Sequence, residues 1–83
     1  SIGIALIDSF RGKGIAHSAL QQLCNYAFSY LNIHQLIAYI PQDNLPSQKL
    51  FKNIGFLCIA TLKDWLFFEG KYKNVLMYQY LKT

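Results

Sequence analysis

Apolar residues follow two different rhythms along this chain. Residues 2–7, IGIALI, form an unbroken apolar run, the pattern of a strand covered on both faces, as in a parallel sheet. From residue 14 the spacing widens. Ala16, Leu20, Leu23, Ala27 and Leu31 recur at steps of three or four, while His17, Gln21, Asn25 and Ser29 fall on another face. That spacing predicts an amphipathic helix over residues 14–31. LNIH breaks the period, and LIAYI, residues 36–40, is again wholly apolar and strand-like. Strand, helix and strand in this order form a βαβ unit, whose crossover is expected to be right-handed and whose strands lie parallel, as neighbours or nearly so.

Punctuation marks out the second half. Pro41 has no N–H to give a sheet, so the second strand is expected to stop there. A short helix over residues 45–54 follows, with Asn44 as N-cap, Pro46 in its first turn and Gly55 at its exit. Leu50, Phe51 and Ile54 supply its apolar stripe. Residues 56–62, extending toward Phe68, and residues 72–81 read as two strands joined at Glu69 and Gly70, an antiparallel hairpin. Tyr72, Val75, Met77, Tyr78 and Tyr80 give the last strand its bulk. No repeat, linker or low-complexity tract is visible. The expected class is α/β, a β-α-β-α-β-β mixed sheet with helices packed on it.

Composition sharpens this picture. The chain has 83 residues, 53% hydrophobic and only 14% charged, against roughly 25% charged in an average soluble domain. A single domain of this size buries only about 60–65% of its unfolded surface. Two arrangements account for the excess apolar content: association with a second copy, or a longer protein whose other part covers these residues. The start, SIGIALI, reads as the middle of a buried strand and favours the second. No apolar run reaches the roughly 18 residues a membrane-spanning helix needs, and no secretory signal pattern opens the chain. Cys24 and Cys58 lack a CxxC or His partner at metal-ligand spacing. They read as buried free thiols of a cytoplasmic protein, and no metal site is expected. The net charge of +4 favours anionic ligands without choosing among them. Its cations are scattered rather than gathered into a stripe and no RNA-binding motif is present, so a nucleic-acid partner is not expected.

The segment RGKGIA, residues 11–16, carries the candidate chemistry. A helix starting here aims unpaired N–H groups and about half a positive charge past its N-terminus, an arrangement that binds oxyanions. Gly12 and Gly14 let a phosphate approach the main chain where a Cβ would intrude. Arg11 adds charge, and Lys13 either does the same or is simply solvated. The segment is neither a Walker A loop nor G-x-G-x-x-G, because the third position after Gly14 is His17. Taken alone, a glycine-rich turn of this kind also serves as plain connection chemistry.

Two motifs together go further. Arg11 to Ala16 resembles the [QR]-x-x-G-x-[GA] acetyl-CoA signature of the GNAT superfamily of N-acetyltransferases. NLPSQKLFKNIGF, residues 44–56, resembles that family's N-x-x-S-x-x-L-[YF]-x-x-x-G-F motif, at an interval that suits a helix and a strand. The tail, residues 62–81, is similar to the subgroup that includes spermidine and ribosomal-protein acetyltransferases. The resemblance implies that residues 1–83 are the C-terminal part of a GNAT (acyl-CoA N-acyltransferase) domain, without its usual first three strands and first two helices. It implies pantetheine contacts from the backbone of Leu6 and Ile7, pyrophosphate contacts from Arg11, Gly12, Lys13, Gly14, Ile15 and Ala16, and polar cofactor contacts from Asn44 and Ser47. Asn44 and Ser47 have an alternative reading as cap and first-turn residue of their helix.

The implied activity is acetyl transfer from acetyl-CoA (coenzyme A) to a primary amine: a polyamine, a small amine or a protein N-terminus. The alternative is a non-catalytic CoA-binding or self-associating fragment, a homodimer paired through an exposed sheet edge. Phe51 stands where many relatives have a general-acid Tyr, and phenylalanine has no proton to give. Tyr39 and Tyr72 are candidate substitutes that read equally as core aromatics. His17, on a polar helix face, and His34, in a loop, read as surface residues. The acids Asp8, Asp43, Asp64 and Glu69 form no cluster in sequence that would mark an amine site. No catalytic residue is assigned.

Overall fold

The computed structural model describes residues 4–8, as backbone, and residues 17–82. The elements in chain order are β1 (Ile4–Asp8), α1 (His17–Ser29), β2 (Gln35–Pro41), α2 (Leu45–Ile54), β3 (Leu57–Phe68) and β4 (Lys71–Leu81). They build one four-stranded sheet in the order β1-β2-β4-β3. β1 and β2 are parallel neighbours, in register from Ile4 opposite Gln35 to Asp8 opposite Tyr39. β4 runs antiparallel to both β2 and β3. The expected β-α-β-α-β-β order is therefore present, and the hairpin has folded back so that its second strand lies inside the sheet. Burial explains that choice. β4 carries the buried Val75 and Tyr78, whereas no β3 side chain is buried, which suits an edge position.

Both helices pack on one face of the sheet. Leu36, Ala38 and Ile40 alternate along β2 and meet Leu20, Cys24 and Ala27 of α1, Phe51 and Ile54 of α2, and Phe56 and Tyr78. The apolar stripe of α1 departs from expectation. Leu23 and Leu31 are 46% and 54% exposed, and Cys24 is fully buried. Residues 20, 24 and 27 share one face of a 3.6-residue helix, which turns Leu23 aside. Leu31 lies beyond the last turn. Asn32 takes a left-handed conformation (φ 56°), and the Ile33 N–H donates to the Ala27 carbonyl at 3.0 Å. Ile33 is thus the residue that packs against the core at this end. The part of the expected helix at residues 14–16 lies outside the described residues.

α2 spans the predicted residues. Asn44 Oδ1 accepts from the Ser47 N–H at 3.2 Å, and the Gly55 N–H donates to the Lys52 and Phe51 carbonyls. Beyond it β3 continues to Phe68 by means of two register shifts, between Cys58 and Ala60 and between Leu62 and Leu66. At the larger bulge Asp64 is left-handed (φ 49°), and its N–H donates to Asn74 Oδ1 at 2.9 Å. A side chain of β4 thus satisfies a donor that leaves the ladder. Glu69 and Gly70, with φ of 52° and 77°, form the two-residue turn that hairpin twist favours.

Candidate functional site

In a sheet with parallel strands, ligands bind beyond the carboxyl ends of those strands, where the connections leave the sheet. Here those ends are Asp8 of β1 and Pro41 of β2. Pairing between the two strands ends at Asp8 opposite Tyr39. β2 runs two residues further, bonded on its other side to β4 through Ile40 opposite Leu76 and Pro41 opposite Val75. Among the described residues, the β1-facing edge of β2 is open over this last stretch. Connectivity then brings the N-terminus of α2 to the same end of the sheet, three residues after Pro41.

The turn between β2 and α2 is held by several bonds. The Asn44 N–H donates to the Pro41 carbonyl at 3.0 Å, and the Gln42 N–H donates to the Asn74 carbonyl at 2.9 Å. Gln48 Nε2 reaches back from α2 to the Gln42 carbonyl at 2.7 Å and the Pro41 carbonyl at 3.5 Å. Lys73 Nζ pairs with Asp43 Oδ2 at 2.7 Å and lies 5.4 Å from the centre of the Phe68 ring. That hydrogen bond holds the Asp43 carboxyl below the usual carboxylate range. Gln42, Asp43, Tyr72, Lys73 and Asn74 line a shallow depression of about 430 Å³ beside this turn.

The amide of Asn44 divides its two ends. Oδ1 is committed to the Ser47 N–H, while Nδ2 has no partner among the described residues. Asn44 is therefore the N-cap, through one end of its amide only among the described residues. The α2 terminus itself is a poor cradle for a phosphate: Pro46 has no N–H, and that of Ser47 is already taken.

The expected pyrophosphate segment, Arg11, Gly12, Lys13, Gly14, Ile15 and Ala16, lies outside the described residues. Leu6 and Ile7 are placed as backbone in β1, opposite Ile37 and Ala38. Asn44 and Ser47 come together, as their spacing suggested. Phe51 is only 1% exposed, packed edge-on against Phe56 with ring centres 5.0 Å apart. Tyr72 is exposed at the rim of the depression, its ring tilted 59° against that of Phe67 with centres 4.9 Å apart, and Tyr39 is half-buried in β2. His17 and His34 are exposed. The two thiols differ, contrary to expectation. Cys24 is buried and its pKa is pushed up to about 11 by loss of solvation. Cys58 is exposed because it belongs to the edge strand. Among the described residues no cluster of His, Cys, Asp or Glu could hold a metal ion, and no helix is long and apolar enough to cross a membrane.

Residues 1–57 match the family model of the acetyltransferase (GNAT) domain. The chain belongs to the GNAT acetyltransferase family. Among its curated GNAT relatives is the uncharacterised N-acetyltransferase p20 of Bacillus licheniformis, 35% identical over 98% of this chain and 46% of that protein. The spermidine N(1)-acetyltransferase of Escherichia coli is 26% identical over 94% of this chain and 45% of that protein. Among solved GNAT structures, the spermidine N-acetyltransferase of Vibrio cholerae in complex with CoA and spermine superposes with a TM-score of 0.78 at 27% identity, over 86% of this chain and 42% of that one. The chain thus spans under half the length of the curated relatives it matches. Gln48 falls between the GNAT motif positions and was not singled out from the sequence, nor was the pairing of Asp43 with Lys73. Only the placement of Gln48 one helical turn after Asn44 hinted at contact.

Proposed function

We propose that the protein containing this GNAT chain transfers an acetyl group from acetyl-CoA to a primary amine, and that residues 1–83 are the C-terminal part of its catalytic domain. The observation that carries the reading is that, among the described residues, β2 runs two residues past the end of its pairing with β1 and into the turn that holds Asn44. The CoA complex of the superposing V. cholerae enzyme supports it. In this reading the backbone of Leu6 and Ile7 faces pantetheine. Arg11, Gly12, Lys13, Gly14, Ile15 and Ala16 hold the pyrophosphate, and Asn44 Nδ2 and the Ser47 hydroxyl add polar contacts. Acetyl-CoA supplies the activated acyl carbon. A neutral amine forms the new C–N bond as the C–S bond breaks, coenzyme A leaves as thiolate, and the proton shed by the amine passes to a base. A polyamine acceptor is consistent with the spermidine acetyltransferases among the relatives.

Isothermal titration of the protein with acetyl-CoA, followed by thiol release across a panel of polyamines, small amines and peptides, tests this reading. Saturable binding and amine-dependent thiol release are expected, and absence of cofactor binding rejects it. A second reading, a self-associating CoA-binding unit without catalysis, is favoured by Phe51 lying in the core and by the edge position of β3. That strand exposes Leu57, Ile59, Trp65 and Phe67, and an open apolar edge invites pairing with a second copy. Sedimentation distinguishes the two: a monomer that releases thiol excludes the second.

A further inference from the structure

We propose that Gln48 is a positioning residue for the cofactor, acting through Asn44. The inference rests on the reading of Asn44 as a cofactor contact. It adds a residue that lies between the family's motif positions.

The turn after β2 must deliver Asn44 in a non-helical conformation (φ −91°, ψ 77°), with its Oδ1 toward Ser47 and its Nδ2 turned the other way. Two peptide groups flank Gln42, and each is held from a different element. The N–H of Gln42 is held by the Asn74 carbonyl of β4, and its carbonyl by the Gln48 amide of α2. The same amide approaches the Pro41 carbonyl, which also accepts from the Asn44 N–H. Gln48 therefore links the last residue of β2, the turn and the helix in one contact set. Its position at the fourth residue of α2 lets a side chain of this length reach backward. The task requires a donor. A carboxylate there would face two carbonyl oxygens, and an apolar side chain would leave the Gln42 carbonyl to water. The turn would remain, since the Lys73–Asp43 pair and the Asn74 bond hold it elsewhere, but the direction of the Asn44 amide would spread. Spread of that kind weakens a ligand contact without removing the residue that makes it.

The test uses Gln48→Met, which keeps the length and removes the donor, and Gln48→Glu, which replaces the donor with an acceptor. Affinity for CoA is measured by titration calorimetry, and exchange of the Ser47 amide by NMR in the absence of CoA. Gln48→Met is expected to weaken CoA about three- to tenfold, the span of one ordinary hydrogen bond, and to speed Ser47 exchange. Gln48→Glu should weaken binding further. The acetyl-CoA KM should rise while kcat stays level, as for a lost uniform binding contact. In an Asn44→Ser background, which keeps the cap and removes the amide donor, Gln48→Met should cost no further affinity. Wild-type affinity in Gln48→Met, or an undiminished loss in the Asn44→Ser background, overturns the inference. Unchanged Ser47 exchange overturns the hold on Asn44 whether or not CoA binds. Failure of the wild-type protein to bind CoA overturns the cofactor role together with the functional reading, a result distinct from either.

Discussion

Replacing Gly55 by alanine tests how tightly the exit of α2 is built. The residue has φ 134° and ψ 5°, a region that side chains rarely enter, and the backbone strain of holding one there is about 1–3 kcal/mol. An added Cβ would also stand 2.9 Å from Cε1 and 3.1 Å from Cζ of Tyr80. That ring has little freedom to retreat. It packs against Phe28 and Phe56 with centres 5.2 and 5.1 Å away, contacts worth about 0.5–1.5 kcal/mol each. Relieving the overlap by shifting it adds about 1–3 kcal/mol. The total, about 2–6 kcal/mol, is a large share of the 5–15 kcal/mol that stabilises a typical domain.

Gly70 supplies the internal control. It too has positive φ, 77°, but a Cβ built on it meets nothing within 4 Å, so Gly70→Ala should cost only the local strain of about 1–2 kcal/mol. Urea unfolding, followed by far-ultraviolet circular dichroism, reads both variants against wild type. With a slope near 1 kcal/mol per molar for a small protein, Gly55→Ala should lower the midpoint by about 2 M or more, beyond the shift from Gly70→Ala. Equal shifts would refute the reasoning that the Tyr80 ring, rather than backbone conformation alone, reserves this position for glycine. In a Tyr80→Leu background the excess should disappear.

Other outcomes follow from the same structure. Phe51→Ala removes a buried ring and should cost about 3–5 kcal/mol in the same assay. Phe51→Tyr pushes a hydroxyl into the cluster around Phe56 and should cost about 1–3 kcal/mol; an unchanged Tm with faster thiol release would show instead that the hydroxyl emerges toward the cofactor. Cys58 should react with a thiol reagent in the native protein at once, and Cys24 only on unfolding, because it is buried with its pKa near 11; two equal fast phases would contradict the packing of α1. The folded pKa of Asp43 lies below its unfolded value, so the Lys73 pair stabilises the fold above about pH 4 and loses that contribution as the pH falls through the lowered value. With the two side chains 30% and 62% exposed, the contribution should stay well below 1 kcal/mol and shrink in salt; a larger difference between wild type and Asp43→Asn at pH 7 would contradict an exposed, screened pair.

What could be read in advance tracks how local the determining physics is. The span of α2 follows from Asn44, Pro46 and Gly55, residues that act on their own backbone. The hairpin turn follows in the same way from Glu69 and Gly70. The parallel pairing of β1 with β2 is dictated by two apolar runs joined through a helix. Other features depend on partners distant in sequence. The insertion of β4 between β2 and β3 depends on relative burial of whole strands. The bulge at Asp64 survives because Asn74, on the neighbouring strand, accepts its N–H. The apolar period placed Leu23 on the stripe of α1, and helix phase against the sheet buried Cys24 in its stead. At the candidate site the motif residues were visible because the family's spacing marks them. Gln48, Asp43 and Lys73 act on the turn through contacts that sequence spacing only partly encodes.

The choice of asparagine at position 44 bears on the proposed function as well as on helix formation. Serine, threonine and aspartate cap helices about as well, because a cap needs only an acceptor for a first-turn N–H. Asparagine alone among the strong caps also brings a neutral pair of N–H donors. Once Oδ1 is committed to Ser47, geometry sends those donors away from the helix. Capping and the proposed ligand contact, which looked like rival explanations in the sequence, would therefore use opposite ends of one amide. Aspartate here would cap the helix and repel a diphosphate, and serine would cap it and offer a shorter, less directed hydroxyl. The fold tolerates several residues at this point, whereas the proposed cofactor contact, directed away from the helix, favours asparagine.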